Sequence, residues 1–118
     1  MGEIKTVDET IESIVKKVSS EVKKNEIRPD WRGDYFSSNQ LDDLRRVFEK
    51  KGFQAAKIFL SGKMKPKDNP RELIKNKIIL ELLEQLNAAK NLDTSTKSYI
   101  IGKLNSILTV YEKGGKIR

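Results

Sequence analysis

An all-α fold is predicted by three observations. Apolar residues recur at three- and four-residue intervals along most of the chain, helix-capping patterns stand where those runs begin, and no segment alternates with the two-residue period of a strand. With 118 residues and 36% apolar content, the chain has material for one small domain around one modest core. The expected architecture is a compact single-domain bundle of four long helices plus one short helix, over 7–24, 38–51, 53–61, 70–90 and 95–112.

The elements follow in order. Val7, Ile11, Ile14, Val15, Val18 and Val22 form one helical stripe, and Thr6 with Glu9 has the spacing of a capping box. Residues 25–36 break the period with Pro29 and Gly33, so they predict a loop, in which Arg32-Gly33-Asp34 reads as a turn. Trp31, Tyr35 and Phe36 sit in that loop; anchoring it onto the bundle is a more economical use of them than stacking on bases. Ser37 and Gln40 have capping-box spacing and open the next helix, whose Leu41, Leu44, Val47 and Phe48 share a stripe. Gly52 supplies a stop, because glycine accepts the left-handed backbone without a Cβ clash. The short helix beyond it presents Phe53, Ala56, Phe59 and Leu60, and Ser61 to Asp68 form the most basic loop.

Asn69-Pro70 restarts the helix: Asn caps, and Pro occupies the first turn, where its missing N–H costs nothing. From Leu73 to Leu86 the apolar residues wrap more than one face, which predicts either the centre of the core or a contact with a second copy of the chain. Asp93 or Thr94 caps the last helix, which carries Ile100, Ile101, Leu104, Ile107, Leu108 and Tyr111. Phe48, Phe53, Phe59, Tyr99 and Tyr111 lie in or beside such stripes and are expected in the core.

Composition excludes much chemistry. The chain has no Cys and no His, which removes disulfides, thiolate and imidazole metal ligands, and the Cys- and His-based nucleophile systems. Asp30 with Asp34, or Asp42 with Asp43, supplies only paired carboxylates without the ligand density of a calcium loop, and Gly62-Lys63 lacks the rest of a phosphate-binding loop. A non-catalytic protein without cofactor or metal is expected. The first residues lack the apolar core of a signal peptide, and the longest apolar run is Ile78-Ile79-Leu80, so a cytoplasmic protein with no membrane partner is expected. Met1-Gly2 with Thr6 fits the loose myristoylation pattern, but Glu3 beside the acceptor makes it a poor example.

The net charge of +7 is segregated. Residues 45–77 hold eleven bases against Glu49, Asp68 and Glu72, a net +8, so the rest of the chain sums to −1. The bases are Arg45, Arg46, Lys50, Lys51 and Lys57 in the second and third helices, Lys63, Lys65 and Lys67 in the basic loop, and Arg71, Lys75 and Lys77 in the fourth helix. Lysine-rich helix surfaces also decorate proteins from hot environments, but ion-pair networks need acids that this run lacks. These eleven residues are therefore the candidate nucleic-acid-binding set, suited to phosphate contacts that position a strand without reading its sequence.

Two short patterns extend this reading. Ser37-Ser38-Asn39-Gln40-Leu41 and Tyr111-Glu112-Lys113-Gly114-Gly115-Lys116 resemble elements of the small subunit of type III CRISPR effector complexes, the Csm-type small subunit. Asp42-Asp43 departs from the resemblance, since that family commonly has Arg directly after the Gln-Leu pair. The resemblance implies an antiviral-defence ribonucleoprotein in which several copies stack beside other subunits, basic faces along the guide RNA–target duplex, without an active site. Two alternatives compete: a helix-turn-helix DNA-binding regulator built on the second and third helices, and a protein-interaction adaptor whose charge is incidental.

Overall fold

The capping box that opens α1 (Val7–Lys24) forms as its spacing predicts: Thr6 Oγ1 accepts from the Glu9 amide at 3.1 Å, and the Glu9 carboxylate accepts from the Thr6 amide at 2.9 Å. This computed structural model describes residues 6–62 and 69–112. The remaining helices are α2 (Ser38–Gly62), α3 (Pro70–Ala88), α4 (Thr94–Gly102) and α5 (Leu104–Glu112), and no strand occurs among the described residues. The fold is all-α.

The end of α1 uses a device that the sequence conceals. Glu26 takes a left-handed backbone (φ 55°), the Ile27 amide reaches back to Val22 O at 2.9 Å and the Glu26 amide to Lys23 O at 3.0 Å. This is a Schellman cap with Glu where Gly is usual, and buried Ile27 and Val22 supply its apolar contact.

The 38–51 and 53–61 helices meet with no linker. Gly52 (φ 88°, ψ −174°) is the single non-helical residue between two arms of α2, a conformation open in practice only to glycine. Ser37 caps the first arm, its Oγ accepting from the Gln40 amide at 3.3 Å, but the expected reciprocal half is missing. The Gln40 side chain instead donates to buried Asn76 Oδ1 of α3 at 2.7 Å.

The helix predicted over 95–112 is two helices. Asp93, not Thr94, caps α4 by accepting from the Thr96 amide at 2.7 Å, and the helix turns off at Lys103 (φ −109°, ψ 17°). Gly102, a poor helix former, precedes that bend, where α4 lies so close to α2 that an added Cβ would stand 2.7 Å from Arg45 Cδ. The bend lets Ile100 and Ile101 of α4 and Leu104, Ile107 and Leu108 of α5 all enter the core.

α2 packs most extensively on α4, while α3 packs on both α1 and α2. That placement resolves the wide apolar band of α3: Ile78, Ile79, Leu82, Leu83 and Leu86 are all buried within the chain, facing neighbours on two sides. Only Leu73, Ile74 and Leu80 remain half-buried, so the band itself gives no reason for a second copy to bind there. Each buried side chain of these sizes stabilises the fold by about 1.5–3 kcal/mol relative to exposure.

Polar side chains in the core are all partnered among the described residues. Asn105 has the largest share. Its Oδ1 accepts from the Tyr35 and Phe36 amides, each at 2.9 Å, and its Nδ2 donates to Phe36 O at 2.9 Å. One buried side chain on α5 thus fastens the 25–37 loop. Ser19 of α1 donates to Glu112, which also pairs with Lys23 at 3.4 Å, closing α5 onto α1.

Candidate nucleic-acid interface

The described members of the basic set lie on α2 and α3, but they do not share one occupation. On the first arm of α2, positions 42, 45, 46 and 49 fall one turn apart, so carboxylates and guanidinia meet. Arg45 donates to Asp42 Oδ1 and Glu49 Oε2, both at 2.9 Å, and Arg46 pairs with Asp42 Oδ2 at 2.9 Å. Buried Ser98 of α4 donates to Glu49 Oε1 at 2.6 Å, so the network ties α2 to α4. The Ser98 hydroxyl foremost, then Arg45, holds the Glu49 carboxyl below its ordinary value. The Arg45 hydrogen bond does the same for Asp42, and Asp42 in turn raises Arg45. An open cleft of about 420 Å³ lies here, with Tyr99 and Lys103 also on its walls.

Arg45 is accordingly occupied: its side chain is only 29% exposed, doubly bonded, and packed along Gly102. Arg46 is 61% exposed, and an exposed ion pair of its kind contributes little to stability, so exchanging Asp42 for a phosphate costs little. Lys50 and Lys51 are exposed before the Gly52 kink and make no ion pair among the described residues. Lys57, beyond the kink, bridges to Glu84 of α3 at 3.4 Å and lies over the Phe53 ring.

Lys63, Lys65 and Lys67 fall outside the described residues. Asn69 caps α3 as expected, its Oδ1 accepting from the Arg71 amide at 2.8 Å. The exposed Arg71 guanidinium donates to Glu26 O at 3.3 Å, bringing the head of α3 beside the loop after α1. Lys75 is half-buried, and exposed Lys77 borders a surface depression of about 340 Å³ with Glu21, Asn25 and Glu81.

The loop aromatics separate into two roles. Phe36 is buried and Tyr35 half-buried, so these two anchor the loop as expected. Trp31 does not: it is 91% exposed, which corrects the anchoring expectation for that residue. Tyr99 is likewise corrected, being 52% exposed rather than in the core. Periodicity assigned Tyr99 inward, but α4 turns its inner face, Ser98 and Ile101, toward α2 and leaves position 99 at the edge.

Asp30 organises the Trp31 turn. Its Oδ1 accepts from the Arg32 amide at 2.8 Å and the Asp34 amide at 3.0 Å, while Asp34 O accepts from the Asp30 amide at 2.8 Å. Those amide hydrogen bonds, with that from Asp34 foremost, hold the Asp30 carboxyl below its ordinary value. Arg32-Gly33-Asp34 is the predicted turn, with Gly33 at φ 89°. The Asp30 carboxylate is spent on these amides and on Arg32, and Asp34 Oδ2 accepts from the Ser38 hydroxyl at 3.0 Å and stands 3.8 Å from Arg32. Sequence reasoning passed over Asn105; the available signal was an Asn within an otherwise apolar helical stripe. No helix among the described residues is long and apolar enough to cross a membrane.

Comparison with protein-family models, with curated proteins and with solved structures finds no match.

Proposed function

We propose that this chain is a non-catalytic nucleic-acid-binding protein whose contacts are made mainly to phosphates. The observation that carries the reading is charge segregation: a net +8 over residues 45–77 in a chain of +7. Exposure of Arg46, Lys50, Lys51, Arg71 and Lys77 supports it, since each can give up solvent or a weak surface pair for a phosphate oxygen. Arg45 is engaged by two carboxylates of its own helix and Lys57 joins α2 to α3, so the working set is smaller than the eleven bases suggest. Within this reading, the resemblance to the small subunit of type III CRISPR effectors points to an RNA-containing complex and to a face laid along a guide–target duplex.

The helix-turn-helix alternative has less support, because a single residue, Gly52, joins the two arms of α2 where that motif uses a turn of three or four. Electrophoretic mobility shifts with an RNA, an RNA–DNA hybrid and a DNA duplex, at 50 and 200 mM salt, test the proposal. Sequence-independent binding that weakens steeply with salt is expected. Replacing Lys50, Lys51, Lys63, Lys65 and Lys67 by Glu is expected to abolish it while the circular dichroism spectrum is retained. Absence of any shift at 50 mM salt refutes the proposal, and protection of one short palindrome favours the regulator.

A further inference from the structure

The exposed ring of Trp31 lies outside the core, and the contact it shows among the described residues is with the guanidinium of its own neighbour Arg32. It is the only tryptophan, 91% of it faces solvent, and the loop that carries it is held firmly. Asp30 bonds the Arg32 and Asp34 amides from inside the turn, and Asn105 pins the loop to the core at Tyr35 and Phe36, four and five residues after Trp31. Thr109 of α5 donates to Gly33 O at 3.4 Å. A chain able to bury Phe36 from this loop leaves the largest aromatic outside on a rigid mount.

The chemistry around the ring narrows what it meets. The Arg32 guanidinium lies over one face, 5.5 Å from the ring centroid, itself held by Asp30 Oδ2 at 3.2 Å and Asp34 Oδ2 at 3.8 Å. The opposite face is open. Both chain neighbours of Trp31, Asp30 and Arg32, are charged, and none of the other exposed large apolar residues (Val7, Ile58, Tyr99, Val110) belongs to this loop. A protein hot spot is normally ringed by contacts that exclude water, whereas the two chain neighbours of this ring are charged. A nucleobase needs only the flat face, with cations nearby for its phosphates. Arg28 is exposed in the same loop, and Arg71 reaches the loop's start through Glu26 O.

We infer that Trp31 is a stacking platform for an unpaired nucleobase, on the open face of a ring backed by Arg32. The inference rests on the nucleic-acid reading above and adds that the partner includes a single-stranded or flipped nucleotide. Stacking on one aromatic is worth about 5- to 150-fold in affinity by alanine substitution, and it tolerates any base because each has a π-face.

The single tryptophan makes its own fluorescence the probe. Titration with a single-stranded oligo-uridylate and with a blunt duplex of equal length, at 50 mM salt, is read by Trp31 emission and by anisotropy of the labelled nucleic acid. Saturable quenching by the single strand is expected. Trp31→Ala is expected to lose roughly tenfold or more of single-strand affinity and little duplex affinity, with Trp31→Phe retaining most of both. Anisotropy that reports binding without quenching, or Trp31→Ala that weakens neither strand form, overturns the stacking platform and leaves the basic-surface reading standing. No binding in either readout overturns both. Emission altered by a protein partner, while nucleic acid leaves it unchanged, assigns the ring to protein docking and overturns the inference.

Discussion

Replacing Asn105 by Ala removes three hydrogen bonds at once, all to backbone groups of Tyr35 and Phe36 and all at 2.9 Å. Asn105 is 9% exposed, so water replaces it poorly. At about 1 kcal/mol net for each bond, the loss is about 3 kcal/mol, and stranding the buried Phe36 amide and carbonyl pushes the figure upward rather than downward. Unfolding entropy of roughly 2.1 cal/mol/K per residue converts this, for a chain of 118 residues, into a fall in Tm of about 12 °C. Thermal unfolding followed by far-ultraviolet circular dichroism measures it, and amide hydrogen exchange at Tyr35 and Phe36 locates it. Asn105→Asp keeps the acceptor for the two amides but sets a carboxylate oxygen where Nδ2 donated to Phe36 O, so it too should lower Tm. A drop below about 2 °C for the alanine variant, with exchange at 35 and 36 unchanged, would refute the view that this side chain holds the loop.

Three other outcomes follow from the backbone and the carboxylates. Gly52→Ala should destabilise by about 1–3 kcal/mol in urea unfolding, because the φ of 88° with ψ of −174° excludes a Cβ although no atom stands within 4 Å of it; an unchanged midpoint would mean the two arms of α2 are not fixed by that residue. Glu26→Gly should stabilise by roughly 0.5–1 kcal/mol, since relief of the left-handed strain exceeds the added freedom of the unfolded chain, and a loss of stability contradicts the cap. The Asp42 and Glu49 carboxyls are both lowered on folding, so their contribution is complete above the ordinary carboxylate range and disappears as pH falls through their lowered folded values. Tm measured from pH 7 to pH 2.5 should therefore drop on the acid side, and less steeply in Ser98→Ala, whose hydroxyl is the main cause for Glu49; an identical acid limb in that variant contradicts the assignment.

Helix positions were legible because their signals are local. The Thr6–Glu9 box, the Asn69-Pro70 start and the Gly52 stop act over one to four residues, and each appears where the sequence places it. The bend at Lys103 and the Glu26 cap were not legible. The bend follows a glycine that lies against Arg45 of the distant α2, and the cap places a Glu at the left-handed position where the sequence signal is a Gly. The same distinction divides the basic set. Charge counting finds every cation, but only the acids on the same or a facing helix decide that Arg45 and Lys57 are engaged while Lys50 and Lys51 make no ion pair among the described residues.

What the sequence alone determined is an all-helical chain with its breaks nearly in place and a basic segment set apart from a near-neutral remainder. Periodicity, capping and formal charge are properties of neighbouring residues, and no tertiary contact is needed to read them. Only the tertiary structure decided that Phe36 goes inward and Trp31 stays outside, five residues apart in one loop. That choice is made by Asn105, some 70 positions away, whose three bonds draw residues 35 and 36 to the core and leave position 31 at the tip of the turn.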